Sequence, residues 1–187
     1  MIDVLSLFRQ SGALHEGHFR LSSGLHSSGY LQCALVLQHP AHAETLGKAL
    51  GDVLRDLNVT AVLSPALGGL IIGHEVARAL GVRAIFAERQ DNVLTLRRGF
   101  SLSAGDRVVI IEDVVTTGGS TRETMVVARE AGATVVGAGS IIDRSGGAAA
   151  LDVPFRALVE LALPTYEPTA CPMCAAGTPV TKPGSRA

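Results

Sequence analysis

Residues 108–120 read VVIIEDVVTTGGS and pass from an uninterrupted apolar run to two acids, hydroxyl residues and glycines. Such an apolar run is typical of a strand buried on both faces, as in a parallel sheet. Glu112 and Asp113 then stand at the carboxyl end of the strand, the edge where open α/β sheets bind ligands. We interpret residues 116–120 as the turn into a helix, with Ser120 and Glu123 forming a capping box.

The predicted turn carries backbone N–H groups that can bind an anion at the start of a helix. The neighbouring carboxylates would repel that anion, so we expect them to bind hydroxyl groups or a divalent metal on the rest of the ligand. A phosphorylated sugar with Mg²⁺ satisfies both requirements. The alternative is an ordinary strand-to-helix turn, in which glycine supplies a positive φ and the acids are solvated.

Outward from this stretch, apolar segments of strand length alternate with segments of helical period. We predict strands at 61–63, 83–87, 108–115 and 135–142, and helices at 4–14, 40–57, 69–80 and 121–131. Residues 19–36 alternate apolar and polar side chains, which predicts a hairpin or extended hood. The order of elements indicates an α/β fold, with a mainly parallel sheet and helices on both faces.

The length of 187 residues favours a single domain over residues 1–187. We divide this domain into a helix and hood (1–36), an α/β core (37–163) and a tail (164–187). The tail is rich in Pro, Thr and Gly, and we assign it no structure.

Composition narrows the class of partner. The net charge is -1 and 47% of the residues are hydrophobic, which argues against a nucleic-acid-binding surface. No apolar run reaches the roughly 18 residues of a membrane span, and the N-terminus lacks the features of a signal peptide. Three cysteines, an odd number, favour a reducing compartment over a disulfide framework. We therefore expect a cytoplasmic protein with small-molecule ligands and no nucleic-acid or membrane partner.

Two further segments carry candidate ligand contacts. Residues 64–69, SPALGG, end an apolar strand and open a helix, so the amides of Ala66, Leu67 and Gly68 are placed to bind a second anion. Residues 88–99 predict a basic hairpin, which we call the flap. The alternative for residues 64–69 is a plain tight turn, and the alternative for the flap is a solvated hairpin. A Walker A loop and a dinucleotide-binding glycine motif are both missing from the sequence.

The segment EDVVTTGGS (112–120) resembles the phosphoribosyl-diphosphate (PRPP) signature of type I phosphoribosyltransferases. By this resemblance, Glu112 and Asp113 meet the ribose hydroxyls and serve catalysis, and the loop holds the 5-phosphate. The implied PRPP contacts are Glu112, Asp113, Val114, Val115, Thr116, Thr117, Gly118, Gly119 and Ser120, with Ala66, Leu67 and Gly68 at the diphosphate and Arg89 at the start of the flap. The resemblance also implies Mg²⁺ bound through PRPP, and a homodimer whose flaps reach the neighbouring subunit.

Residues 17–24, GHFRLSSG, with His26, Ser27 and Tyr30, resemble the hood of orotate phosphoribosyltransferases. Asp143 and Arg144 follow the signature at the distance found in that family. The resemblance implies that Arg144 pairs with the orotate carboxylate and that Thr116 and Tyr30 contact the base. The alternative for Arg144 is a surface ion pair with Asp143.

The implied reaction transfers the 5-phosphoribosyl group from PRPP to orotate, giving orotidine 5′-monophosphate and diphosphate in de novo pyrimidine synthesis. Two alternatives stay open: a purine phosphoribosyltransferase, and a PRPP-sensing regulator without turnover. The flap lacks the family's lysines and histidine, and Ser22 and Gly68 stand where relatives place lysines. We carry over Arg89, which also enters the implied catalytic set, and hypothesise that Arg97 or Arg98 acts on the leaving group.

Cys171 and Cys174, in the segment CPMC, have the spacing of half a zinc site. No histidine follows the pair, and Cys33 is the one other cysteine. The alternatives are a zinc ion shared across a dimer, a turn in the tail and a labile thiol pair. His15 and His18 flank Gly17, so we predict a loop there rather than a metal site.

Overall fold

The computed structural model describes residues 2–21 and 23–182, so the predictions on Ser22 and on the last five residues of the tail lie outside it. The helices are α1 (Val4–Gln10), α2 (Cys33–Leu37), α3 (Pro40–Leu54), α4 (Gly69–Leu80), α5 (Gly119–Glu130) and α6 (Pro172–Ala175). The strands are β1 (Leu14–Arg20), β2 (His26–Leu31), β3 (Ala61–Pro65), β4 (Arg83–Gln90), β5 (Val93–Leu96), β6 (Arg107–Val115), β7 (Thr134–Asp143), β8 (Phe155–Glu160) and β9 (Thr165–Tyr166). Short 3₁₀ turns cover Arg55–Leu57 and Pro168–Ala170.

Six strands form the central sheet in the order β5-β4-β3-β6-β7-β8. All neighbours pair in parallel except β4 and β5. Helices α3 and α4 pack on one face of this sheet and α5 packs on the other, so β3 and most of β6 are buried. The predicted α/β fold, with a mainly parallel sheet covered on both faces, is confirmed.

Helices α3 and α4 pack closely because α3 carries glycine where it meets α4. A Cβ built on Gly47 of α3 would lie 2.8 Å from the backbone carbonyl carbon of Glu75 in α4. Leu46, Leu50 and Leu54 are fully buried on the same side of α3. This stripe has the helical period from which the segment was predicted.

A second sheet of three antiparallel strands, β1-β2-β9, forms the hood. Strand β9 comes from the tail, and α6 follows it. The tail, to which the sequence analysis assigns no structure, thus carries regular elements within residues 165–175. The tail is ordered by pairing with β2, a long-range contact that its own composition does not reveal.

Other boundaries also differ from the prediction. Helix α1 ends at Gln10 rather than residue 14, because Gly12 has φ +65° and the N–H of Ala13 bonds back to the carbonyl of Phe8. The predicted hairpin of residues 19–36 begins earlier, at Leu14, and α2 replaces its last residues. Strand β8 was not predicted. Among the helices of the described ranges, none combines the length and the apolar character needed to cross a membrane.

Candidate active site

Glu112 and Asp113 lie in the carboxyl-terminal part of β6, as predicted. Glu112 is 8% exposed, and burial, reinforced by the Asp113 carboxylate, raises the pKa of Glu112 from its ordinary 4.5 to about 8. Burial also raises the pKa of Asp113, whose Oδ1 accepts a hydrogen bond from the Val114 N–H at 2.8 Å. Within residues 2–21 and 23–182 neither carboxylate forms an ion pair. A cation or a donor of hydrogen bonds would therefore stabilise this acid pair.

A glycine turn joins β6 to α5 beside the acid pair. Gly118 has φ +74°, and a Cβ built on it would come within 3.0 Å of the Arg122 guanidinium, so the turn requires glycine. The side chains of Thr116 and Thr117 are exposed. No side chain in the described part of the chain caps α5, so its first N–H groups are available to an anion.

The predicted capping box is wrong. Helix α5 begins at Gly119, so Ser120 already lies inside its first turn and makes no cap. Glu123 Oε2 instead accepts a hydrogen bond from Arg89 at 2.8 Å. The left-handed conformation of Gly118 starts the helix earlier than the hydroxyl residue would.

The loop after β3 reaches the same acids. A Cβ built on Gly68 would lie 2.9 Å from Asp113 Oδ1, so the loop backbone packs directly against that carboxylate. The Ala66 N–H donates to the Ala87 carbonyl at 2.8 Å, which ties the loop to β4. Leu67 is exposed, and the peptide bond between Ala66 and Leu67 is cis. The structure thus brings the predicted second anion loop to the acid pair.

Arg144 follows β7 and is only partly exposed. Its Nε is buried and has no hydrogen-bond partner among the described residues, and burial lowers the pKa of the guanidinium. Arg144 forms no ion pair with Asp143, the alternative raised from the sequence, and Asp143 Oδ1 instead accepts from the Ser145 N–H at 2.7 Å. An N–H group held away from water without a partner favours a ligand that accepts a hydrogen bond.

Cys33, at the start of α2, is a site residue that the sequence did not reveal. Burial raises the pKa of its thiol, and so do the carboxylates of Asp113 and Glu112, whereas Arg144 acts in the opposite direction. Cys33 is 2% exposed, so its thiol is held away from water on α2. A lone cysteine far along the chain from β6 has no spacing pattern that could have identified it.

The flap forms the predicted hairpin, with Asp91 and Asn92 at positive φ between β4 and β5. Arg89 donates to the Asn92 carbonyl at 2.6 Å and to Glu123 Oε2 at 2.8 Å. These bonds place Arg89 beside the first turns of α5 rather than on the acid pair. Its predicted contact with PRPP stays a prediction.

Arg97 and Arg98 both pair with Glu88. Arg97 Nη1 lies 3.7 Å and Arg98 Nε lies 3.0 Å from Glu88 Oε1. Arg98 also stacks over Phe86, 5.7 Å from the ring centroid. Both side chains are therefore held within the hairpin in this structure.

The remaining predicted residues lie in the hood. The ring of Tyr30 is 6.0 Å from that of Phe19, and its predicted contact with orotate stays a prediction. His18 is buried in β1, so its predicted loop position is wrong. Cys171 and Cys174 contact His18, which precedes Cys171 by 153 residues. A search for histidines after the cysteine pair could not find a partner so far upstream.

Comparison with known proteins agrees with this geometry. The family model described as phosphoribosyl transferase domain matches residues 34–162. The chain is 51% identical to the orotate phosphoribosyltransferase of Pelotomaculum thermopropionicum, over 98% of this chain and 97% of the relative. It is 49% identical to that of Thermotoga maritima, over 98% of each chain. A crystal structure of orotate phosphoribosyltransferase from Aeropyrum pernix superimposes with a TM-score of 0.72 and 27% identity, covering 84% of this chain and 93% of that one.

Proposed function

The chain belongs to the phosphoribosyltransferase family, and from that premise we propose that it transfers the 5-phosphoribosyl group of PRPP to orotate, giving orotidine 5′-monophosphate and diphosphate. The observation that carries the proposal is the 51% identity, along 98% of the chain, to a relative named orotate phosphoribosyltransferase. The reaction is a step of de novo pyrimidine synthesis, and we assign the enzyme to the cytoplasm.

PRPP binds with a phosphorylated group at each of the two loops of the sheet edge. The turn of residues 114–120 receives the 5-phosphate on the uncapped N–H groups of α5. The loop of Ala66, Leu67 and Gly68 receives the diphosphate. Glu112 and Asp113 lie between these loops and accept hydrogen bonds from the ribose hydroxyls. The contact between Gly68 and Asp113 supports this arrangement.

The acid pair also fits Mg²⁺. Glu112 and Asp113 are poorly hydrated carboxyl groups with no cationic partner in the described ranges, and hard oxygen atoms are the ligands that Mg²⁺ prefers. They would hold the ion together with oxygen atoms of PRPP. When bound, Mg²⁺ neutralises part of the charge that grows on the departing diphosphate. A nearby cation favours the ionised form of Glu112, so its pKa falls on binding.

Orotate binds next to Arg144. The buried, unpartnered Nε of Arg144 supports this role, because a planar guanidinium binds a carboxylate through two parallel hydrogen bonds. Thr116 and Tyr30 contact the base from the turn and from the hood.

During transfer, the bond from C1 of the ribose to the diphosphate oxygen breaks and a bond from C1 to a ring nitrogen of orotate forms. The proton on that nitrogen passes to the departing diphosphate, which gains basic oxygen atoms as it leaves. Orotate enters as an anion, so its nitrogen needs little help from a general base, and we assign no residue to that role. Ionised Glu112 and Asp113 stabilise the positive charge that develops on the ribose. Closure of the flap brings Arg89, with Arg97 or Arg98, toward the diphosphate and excludes water.

The enzyme acts as a homodimer in which the flap of one protomer closes on the site of its partner. Val93, at the tip of the flap, is 62% exposed, which suits an apolar contact with another protomer.

The loss of orotate absorbance on mixing with PRPP and Mg²⁺ tests the function. Adenine, hypoxanthine and uracil are assayed in parallel. We expect orotate consumption that requires both PRPP and Mg²⁺. Turnover of a purine in place of orotate would contradict the proposed substrate, and PRPP binding without turnover of any base would favour a sensing role.

A further inference from the structure

Four side chains of the kinds that bind transition metals meet in the hood. His18 lies on β1 and His26 on β2, whereas Cys171 directly precedes α6 and Cys174 lies within it. One nitrogen or sulfur atom from each lies within 4.8 Å of every other. His18, His26 and Cys171 are buried, and Cys174 lies at the surface.

The separations resemble those of a tetrahedral zinc site. Cys171 Sγ and Cys174 Sγ lie 3.6 Å and 3.7 Å from His18 Nε2, and Cys174 Sγ lies 3.3 Å from His26 Nδ1. Zinc bonds of about 2.3 Å to sulfur and about 2.0 Å to nitrogen give tetrahedral N···S edges of about 3.5 Å. His18 Nε2 and His26 Nδ1 are 2.8 Å apart, and this edge opens by about 0.5 Å around an ion.

The hydrogen bond on the far side of His18 presents the correct nitrogen to the cluster. His18 Nδ1 lies 2.8 Å from the carbonyl oxygen of Thr178. A carbonyl only accepts hydrogen bonds, so Nδ1 carries the proton and Nε2 directs its lone pair at the cluster. Such support of a ligating imidazole by a carbonyl is common around zinc.

We propose that His18, His26, Cys171 and Cys174 bind one structural zinc ion that fastens the tail to the hood. Four protein ligands close the coordination sphere, so the site offers no open position to a substrate. Thiolate and imidazole ligands favour Zn²⁺, whereas Mg²⁺ prefers oxygen, so this ion is distinct from the one at PRPP. The half site read from the two cysteines is completed within one chain, and a zinc shared between protomers is unnecessary.

The position of the cluster would let the ion hold the tail against β1 and β2. Before the two cysteines in the chain, β9 pairs with His26 and Ser27 of β2. After them, the Thr181 N–H donates to the His18 carbonyl at 2.8 Å, and the Thr181 carbonyl accepts from the Arg20 N–H at 2.9 Å. The ion therefore cross-links the hood between these two short groups of hydrogen bonds, and its loss frees the tail.

The metal content of the full chain tests the proposal. Protein is purified without a polyhistidine tag and without chelator, and its metal content is measured by inductively coupled plasma mass spectrometry. We expect one zinc ion per chain. Cys174→Ser should hold less than about a tenth of that amount, because a serine hydroxyl is a poor zinc ligand. Cys33→Ala and His15→Asn are the matched controls and should keep the full zinc content, since neither side chain belongs to the cluster.

Cobalt gives a second readout that does not depend on the zinc assay. Apoprotein prepared under reducing conditions is titrated with Co²⁺, and we expect the strong visible bands of tetrahedral cobalt with thiolate charge transfer at one equivalent. Cys174→Ser and His26→Asn should lack these bands. Wild-type protein that binds neither metal, or Cys174→Ser with a full zinc content, would overturn the proposal. A Cys171–Cys174 disulfide in metal-free protein purified without oxygen would also overturn it.

Discussion

Glu112 links the stability of the ligand-free protein to pH. Its pKa in the folded protein, about 8, lies above the ordinary 4.5. The neutral carboxyl contributes its full stability below the ordinary pKa of 4.5, and this contribution is lost as the pH rises through the folded pKa of about 8. We therefore expect Glu112→Gln to be more stable than the wild type at pH 8, by on the order of 2–4 kcal/mol, with little difference near pH 4.

Urea unfolding of both proteins across this pH range measures the difference. Glu130→Gln, at an exposed position in α5, is the matched control and should show no gap that grows with pH. A constant gap between Glu112→Gln and the wild type would contradict burial of the neutral form.

Arg144 tests the assignment of the orotate carboxylate. Arg144→Lys keeps the charge but loses the planar pair of donors, so the KM for orotate should rise about 10- to 100-fold while that for PRPP changes little. Steady-state kinetics with each substrate varied in turn measures the KM for orotate and the KM for PRPP separately. Arg129→Lys, in a surface ion pair with Asp152, should leave both constants unchanged. An equal rise in both KM values for Arg144→Lys would indicate a general structural role.

Individual site residues were predictable where the chain pattern marks them. Glu112 and Asp113 follow an apolar run whose end is visible in the sequence, whereas Arg144 was expected from the resemblance to orotate phosphoribosyltransferases. Cys33 reaches the acids through the packing of α2, and His18 meets Cys171 across 153 residues. Contacts of this kind arise from tertiary folding and leave no local spacing to read.

At the level of helices, the crossing of α3 and α4 depends on Gly47. Gly47→Ala would place a methyl group against the backbone of Glu75, so we expect a loss of about 1–3 kcal/mol in the free energy of unfolding, despite the better helix propensity of alanine. Gly105→Ala, where no atom lies within 4 Å of the new methyl, is the matched control for urea denaturation. A more stable Gly47→Ala would show that the helices are not in such close contact.

The flap can act on the leaving group only if its arginines release Glu88. We expect Arg97→Ala or Arg98→Ala to lower kcat by about 10²- to 10³-fold, because each would remove a cation that the proposed closure of the flap brings to the charge on diphosphate. Arg83→Ala, at the opposite end of β4 and paired with Asp106, is the control for loss of a surface arginine. Unchanged kcat in both flap variants would remove this role.

Long periodic elements were predictable, and elements defined by their neighbours were not. Helices α3 and α4 and strands β6 and β7 have a clear period or a continuous apolar run. Strand β8 is only partly buried, and β9 has two residues, so both depend on the strand beside them. The capping box failed because a glycine conformation, rather than the hydroxyl residue, starts α5.

For the whole molecule, PRPP should raise the thermal stability. A ligand at 100 times its Kd that binds only the folded state adds about 2.7 kcal/mol, which corresponds to about 5–10 °C in Tm for a chain of this length. Scanning calorimetry with and without Mg²⁺ measures the shift, which should be larger with the ion. Mg²⁺ is omitted rather than chelated, because a chelator would also remove the zinc ion proposed in the hood. The absence of any shift at high PRPP concentration would contradict the proposed site.

The return of the tail to the hood sets an order of events during translation. Strand β2 pairs with β9, and His18 is synthesised 153 residues before Cys171. A ribosome adds that span in roughly 8–30 s, during which β2 presents an unpaired edge to other nascent chains. The strand pairs of the central sheet join segments that lie closer in the sequence, so the sheet can assemble first. Slow translation therefore lengthens the period in which the unfinished hood, rather than the core, is exposed to chaperones and to aggregation.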